Sequence, residues 1–362
     1  MKKFLIINPF GIGDVLFTTP LAKAIKDNHP DSRIGYWCNE RVRGIINNNP
    51  DIDKIFALSR GDLKKIFHRS RLEGIKRFLG LLSAIKKEKF EAVFDFSLEH
   101  RYSLISKLLG IKKRIGFNYK NRGRFLTDKI DIDGYNNRHA VEYYLDLLQF
   151  VNIKPGNSNL NIFVSQGNKV KAKNILIQAG IQDRGLLVGI APGAGASWGQ
   201  DASLKHWPAA RFAQLADRLI SDFGAQILIL GDITERPIAD TVINTMNNKA
   251  IDLTGKTSLE ELIAIIDKLH ILISNDGGPL HIACALNKKT VSFFGPVDSK
   301  VYGPYPPDAE RHIVLKKNLE CSPCYRNFRL TNCLRNRQCL EDIDVALALS
   351  AVSSLLSKKE NI

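Results

Sequence analysis

The chain has 362 residues, 44% of them hydrophobic and 25% charged, with a formal net charge of +15. That length supplies two domains of ordinary size, and the composition is globular, with no low-complexity tract. No spanning helix is expected, because no apolar run approaches the ~18 residues a bilayer needs, and Asn8-Pro9 ends the first apolar run too early for a secretory signal, so a cytoplasmic location is expected.

The elements read in chain order as an alternation of strands and helices. Residues 4–7 form a first strand, and 14–26 a helix after a loop holding Gly11 and Gly13. Strands are predicted over 33–37, 55–58 and 91–96. One long basic helix is predicted over 62–87, where Leu72, Ile75, Phe78, Leu79, Leu82 and Ile85 recur at three- and four-residue spacing. A helix over 103–109, a short strand over 114–116 and an amphipathic helix over 139–151 complete the first series. Residues 152–161, rich in Pro, Gly, Asn and Ser, read as the approach to a linker.

A second series follows: strands over 186–191, 225–230, 251–253, 271–274 and 290–294, with helices over 208–223, 234–246, 258–269, from 279, and over 342–356. Ser258 with Glu261 three residues on makes a capping box. Such alternation predicts parallel sheets covered on both faces, in two doubly wound domains facing across a cleft. Ligands of these sheets bind beyond the carboxyl ends of the strands, which is where the loops 11–14, 192–205, 231–235 and 275–281 fall.

The charge is concentrated. Residues 60–124 hold 18 Lys and Arg against 6 Asp and Glu, a net of +12. That favours an anionic partner. No nucleic-acid motif accompanies it and no aromatic residues are interleaved for stacking, so nucleic acid is not expected. The stripe of the basic helix is expected to pack on the sheet, with its charges holding the protein at an acidic membrane surface.

The most informative segment is Ser274-Asn275-Asp276-Gly277-Gly278-Pro279-Leu280-His281-Ile282-Ala283. Asp276 can cap the helix that follows, Gly277 and Gly278 permit close backbone approach, and Pro279 suits a first helical turn. The free N–H groups and the positive end of the helix suit an anion, with His281 in the first turn. Near the N-terminus, Phe10-Gly11-Ile12-Gly13-Asp14 lacks the third glycine of a dinucleotide fingerprint. Asp14 reads either as a helix N-cap or as a general base. Pro192-Gly193-Ala194-Gly195 precedes Lys205-His206-Trp207-Pro208, and Lys205 reads as a phosphate contact or as a solvated lysine. Glu235 reads as an acceptor for a ribose or sugar hydroxyl, or as an acid complementing a helix dipole.

Cys38 and Cys284 are isolated and expected buried. Cys321, Cys324, Cys333 and Cys339 cluster as C-x2-C-x8-C-x5-C. This suggests a tetrahedral thiolate site with structural zinc as first candidate; free thiols or a disulfide are the alternatives.

Together the G-x-G-D-x-x-x-T loop, P-G-A with a downstream K-x-W-P, and D-G-G-P-x-H-x-A resemble the bacterial ADP-heptose:lipopolysaccharide heptosyltransferases, glycosyltransferase family 9. The ending C-x-P-C-Y with later cysteines is similar to a subset of that family. The resemblance implies a GT-B fold of two Rossmann-like domains: 1–160 binding acceptor, 161–340 binding nucleotide sugar, and 341–362 a C-terminal helix and tail. It implies an inverting, metal-independent enzyme that moves heptose from ADP-heptose to the lipopolysaccharide inner core, peripheral on the inner face of the inner membrane. It makes Asp14 and Lys205 catalytic. It assigns donor binding to Gly13, Gly193, Lys205, Glu235, Asp276, Gly277, Gly278, Pro279 and His281, with Gly277 where many members have Thr or Ser. No cofactor is implied for catalysis. The alternatives are a relative using another nucleotide sugar or acceptor, and a non-catalytic nucleotide-sugar-binding adaptor at the membrane.

Overall fold

The structure, a computed structural model, describes residues 2–58, 60–181 and 185–357. The chain divides into two compact units, Met1–Phe163 and Val164–Ile362.

The first unit runs β1 (Lys3–Asn8), α1 (Ile12–Phe17), α2 (Thr19–Asn28), β2 (Arg33–Cys38), β3 (Lys54–Ala57), α3 (Arg60–Arg69), α4 (Arg71–Glu88), β4 (Ala92–Asp95), α5 (His100–Leu108), β5 (Lys113–Tyr119), β6 (Asp128–Ile132) and α6 (Ala140–Asp146). Its six strands are parallel in the order β3-β2-β1-β4-β5-β6. β1 lies inside the sheet and is covered on both faces, so Leu5, Ile6 and Ile7 are all buried and read as a run instead of an alternation. One face of the sheet packs Leu5, Ile7, Trp37, Phe56, Phe90 and Val93 against Ile85 of α4.

Two predicted helices are each broken in two. The helix expected over 14–26 is interrupted at Thr18, because Pro20 lies in the first turn of α2 and cannot bond back to Leu16. The Thr19 hydroxyl takes the Leu16 carbonyl instead, at 2.7 Å, and the Thr18 hydroxyl takes that of Val15, also at 2.7 Å. The helix expected over 62–87 breaks at Ser70, whose hydroxyl accepts the Glu73 N–H at 3.3 Å and caps α4. β6 was not read from the sequence at all; it is a half-exposed edge strand with two aspartates and a lysine.

The second unit contains α7 (Gln166–Gln178), β7 (Leu187–Ala191), α8 (Ala209–Phe223), β8 (Gln226–Ile229), α9 (Arg236–Thr245), β9 (Ile251–Asp252), α10 (Leu259–Ile266), β10 (Ile271–Asn275), α11 (Gly278–Ala285), β11 (Lys289–Phe293), α12 (Ser299–Tyr302), β12 (His312–Leu315), the short strands β13 (Tyr325–Arg326) and β14 (Arg329–Leu330), α13 (Gln338–Glu341) and α14 (Val345–Ser357). Its parallel sheet has the order β12-β11-β10-β7-β8-β9, the same winding as the first. Ile190, Ile273, Val291 and Phe293 pack on one face with Phe212, Leu215 and Leu219 of α8 and Val352 and Leu355 of α14. The capping box of Ser258 and Glu261 is present at α10. In each sheet the winding reverses once, between β1 and β4 and between β7 and β10, and each reversal opens a crevice at the carboxyl ends of those strands.

Candidate active site

The crevice of the second sheet is built from two loops, 192–195 after β7 and 275–277 after β10. Asn275, fully buried at the end of β10, ties them together. Its Nδ2 donates to the carbonyls of Pro192 at 2.6 Å and Gly193 at 3.3 Å, and its Oδ1 accepts the backbone N–H of Trp207 at 2.8 Å. Gly277 is extended, and an added Cβ would lie 3.2 Å from the Ala194 carbonyl oxygen. Close approach of the two loops is therefore what a side chain at 277 would strain. Gly277, not Asp276, is the N-cap of α11; the capping role expected for Asp276 is corrected.

Asp276 turns instead to Lys205. Their side chains are each 7% exposed and Lys205 Nζ stands 2.6 Å from Asp276 Oδ2. The ammonium also lies 4.7 Å from the centre of the Trp198 ring. Lys205 is thus neither solvated nor isolated. A buried ion pair of this kind costs desolvation that its attraction only partly returns, so it is held by what surrounds it. Trp207, two residues on, anchors the segment. Its indole stacks on Phe293 with centres 4.0 Å apart and donates to the Ile343 carbonyl at 2.9 Å. Arg337 donates to the carbonyls of Ser203 at 3.0 Å and His206 at 2.9 Å, on either side of the lysine. His281 is buried in α11. Burial pushes its imidazole down to about 3, with the charge of Lys205 adding to the effect, so the ring is neutral at neutral pH. His206 is pushed down to about 4 by burial and by Arg337 and Lys205.

Glu235 closes the other side of the glycine loop. Its Oε1 accepts the N–H of Gly195 at 2.8 Å and its Oε2 that of Asp232 at 2.9 Å. The carboxylate lies so close to Gly193 that an added Cβ there would fall 1.8 Å from Oε1. Gly193 is required by this packing. Burial pushes the Glu235 carboxyl above its ordinary value, opposed by the N–H groups it accepts.

In the first unit, Asp14 belongs to the first turn of α1. Gly11 is the N-cap, and Asp14 Oδ2 accepts the Gly11 N–H at 3.4 Å, so Asp14 reaches back across the turn and is not itself the cap. Gly13 precedes it in the same turn. Asn8, buried at the end of β1, shapes the loop: its Nδ2 donates to the Asp14 carbonyl at 2.9 Å and its Oδ1 accepts the Phe10 N–H at 3.1 Å. Across the switch point, Asp95 ends β4, buried, with the Ser97 N–H 2.9 Å from its Oδ1. Burial pushes its carboxyl up to about 6.

The structure therefore gathers Gly193, Lys205, Glu235, Asp276, Gly277, Gly278, Pro279 and His281 at one sheet edge of the second unit, and Gly13 and Asp14 at the equivalent edge of the first. Sequence reasoning missed Asn8, Asp95, Asn275, Trp198 and Arg337. The signal for the first three was a polar residue ending an otherwise apolar strand; Trp198 lies in the 192–205 loop itself, seven residues before Lys205, and Arg337 reaches the site from a distant segment.

The cysteine segment packs beside the same crevice. Tyr325 meets the Trp198 ring at 5.0 Å and the Ser322 hydroxyl donates to the Gly295 carbonyl at 2.8 Å. Cys333 Sγ accepts the Arg337 N–H at 3.1 Å, and Cys324 Sγ donates to the Cys321 carbonyl at 3.0 Å. Burial pushes the Cys339 thiol up to about 11, and Cys324, Cys333 and Cys321 raise it further. Among the described residues no three ligating side chains are arranged to hold a metal ion.

Residues 79–334 match the family model described as glycosyltransferase family 9 (heptosyltransferase). The chain is 28% identical over 311 residues to lipopolysaccharide heptosyltransferase 1 of Campylobacter coli, covering 82% of this chain and 85% of the relative. In structure it is similar to a glycosyltransferase family 9 protein of Veillonella parvula, with a TM-score of 0.82, 24% identity and coverage of 99% and 98% of the two chains. It is also similar to the ADP-heptose lipopolysaccharide heptosyltransferase II of Escherichia coli, with a TM-score of 0.76, 20% identity and 98% of each chain covered. The fold is accordingly the expected GT-B type of two Rossmann-like sheets. With its family model spanning most of its length, the chain is a glycosyltransferase belonging to family 9, the heptosyltransferases.

Proposed function

We propose that this enzyme transfers heptose from ADP-heptose to the inner core of lipopolysaccharide, with inversion and without a metal ion. The observation that carries the reading is the buried Lys205–Asp276 pair beside the glycine loop and the start of α11. The names of the C. coli and E. coli proteins point to the same donor and acceptor class.

Breaking a sugar–diphosphate bond places negative charge on the leaving phosphate. Lys205 and the amino-terminal end of α11, at Gly277, Gly278 and Pro279, supply positive potential where that charge develops, so a metal is not required for it. Asp276 holds Lys205 and offers its other oxygen to the sugar hydroxyls. Gly193 leaves the space that the Glu235 carboxylate fills, and Glu235 fixes the loop and accepts from the ribose with its remaining lone pairs. Neutral His281 supplies a hydrogen-bonding ring without a competing charge. In the N-terminal unit Asp14 is the base for the acceptor hydroxyl, with Gly13 leaving room beside it. Asp14 takes the proton of the acceptor hydroxyl as its oxygen bonds to the anomeric carbon. The bond from that carbon to the phosphate oxygen breaks, its electron pair leaving with ADP. One such displacement inverts the centre.

A screen of ADP- and UDP-sugars by thermal unfolding tests the donor. A ligand at a hundred times its Kd raises stability by about 2.7 kcal/mol. Stabilisation by ADP-heptose is expected; stabilisation by UDP-sugars with none by ADP-sugars would replace the donor.

No helix among the described residues is long and apolar enough to cross a membrane. The enzyme's place is read as the cytoplasmic face of the inner membrane, held peripherally. For the cysteine segment, structural zinc is a second proposal that rests on the C-x2-C-x8-C-x5-C spacing of Cys321, Cys324, Cys333 and Cys339 alone, since among the described residues their side chains are not gathered into a metal-holding group.

A further inference from the structure

The apolar stripe of α4 outruns the surface available to it. Its far end packs as expected, with Ile85, Leu81 and Leu82 against the core of the first sheet. Its near end does not, which corrects the expectation that the whole stripe is covered. Leu72 is 82% exposed, Leu79 56% and Ile75 46%. These three lie along one side of the helix at three- and four-residue spacing. Phe67 of α3 seats over Gly74, where an added Cβ would fall 2.8 Å from its ring, and joins the two helices into a hairpin. Between them lies a hollow of about 450 Å³ lined by Lys64, Phe67, His68, Arg71 and Ile75.

The same hairpin is strongly basic. From residue 64 to 79 it carries Lys64, Lys65, Arg69, Arg71, Lys76 and Arg77 against Glu73. The basic lining continues at the other end of α4, where Lys86, Lys87 and Lys89 join Lys112 around a hollow of about 930 Å³ floored by Phe4 and Phe90. A lysine in a last helical turn complements the helix dipole, but that does not account for leucines left in water at the opposite end.

Charge and apolar surface together select the occupant. A second copy of the chain would set like charge against like. A nucleic acid would meet the cations and leave Leu72 and Leu79 exposed. An acidic phospholipid bilayer answers both, its headgroups meeting the cations and its acyl boundary taking the apolar side chains. We propose that the α3–α4 hairpin is the element that docks this enzyme on an anionic phospholipid surface, with α4 lying in the interface and Leu72, Ile75 and Leu79 entering it. The choice of a bilayer rests on the reading of a membrane-bound acceptor, but the test uses neither donor nor acceptor.

The full chain is sedimented with phosphatidylcholine vesicles, with and without a phosphatidylglycerol fraction, over a range of salt. The parent is expected to bind only the anionic vesicles and to stay partly bound at high salt. The triple variant Leu72→Ser, Ile75→Ser, Leu79→Ser, altered only at exposed positions, should bind at least about ten-fold more weakly and release completely as salt rises. Replacing Lys64, Lys65, Lys76 and Arg77 with Gln should remove the preference for phosphatidylglycerol. As a second readout, Leu72→Trp should show a blue shift in emission, relative to the parent, with anionic vesicles alone. Parental binding by the triple variant, equal binding to neutral vesicles, no binding at all, or an unshifted emission from the Leu72→Trp variant overturns the proposal. So does a parental dimer, seen in sedimentation equilibrium, that the triple variant abolishes, since the hairpin would then be a self-association surface.

Discussion

Replacing Lys205 with Met separates what the lysine does for the fold from what it does for the donor. Asp276 is left with its carboxylate buried and its cation gone, since both side chains are only 7% exposed. Breaking a buried pair on one side costs about 3–5 kcal/mol, and in a unit of this size that lowers the melting temperature by about 6–20 °C. Adding Asp276→Asn removes the stranded charge and should return most of the lost stability. Donor affinity should not return with it. A charge-assisted contact to phosphate is worth about 1.5–3 kcal/mol, so ADP should bind about 10- to 150-fold more weakly to the double variant. The assay pairs urea unfolding with calorimetric titration of ADP on parent, both single variants and the double. Equal stability of Lys205→Met and the double variant would refute the buried pair. Parental ADP affinity and turnover in the double variant would reduce Lys205 to a structural role.

Asp14→Asn should lower transfer at least about 100-fold while leaving ADP affinity within a few-fold, because a positioned base contributes about that much or more to rate; comparable turnover at equal folded fraction would remove Asp14 as the base. Asp95 should leave a signature in stability against pH. Its folded carboxyl is raised by burial to about 6, so its contribution is fully present below the unfolded value near 3.8 and is lost as pH rises through about 6, for a total of about 3 kcal/mol. Asp95→Asn should lack that slope in urea unfolding, and parallel curves for parent and variant would show that Asp95 titrates normally. If the four clustered cysteines hold zinc, protein purified under reducing conditions should carry about one metal per chain; none by elemental analysis, with the thiols titratable in the folded state, ends that proposal.

Much of the second unit was legible because its signals are local. The run Ile271-Leu272-Ile273 followed by Asp-Gly-Gly-Pro reads as a buried strand, a turn and a helix start, and so it is. The errors came where a local pattern has two solutions. Thr18 and Ser70 sit within unbroken helical periodicity, yet a proline two residues on and a serine cap divide the helices there. β6 was missed because it is a half-exposed edge strand whose polar residues read as a loop.

The sequence by itself determined the alternation of strands and helices in both units, their doubly wound class and the family, because hydrophobic periodicity and glycine or proline punctuation act over a few residues. Only the tertiary structure decided the partners within the site. Asp276 binds Lys205, 71 residues away, instead of capping its own helix, since a buried lysine needs an opposite charge that packing brings to it. Glu235 sits against Gly193 and Gly195, and Arg337 braces the backbone on both sides of Lys205, through contacts between segments far apart in the chain. The apolar stripe of α4 looked like core in the sequence. Whether such a stripe is covered depends on how far the sheet beneath it extends, and that is a property of the assembled fold.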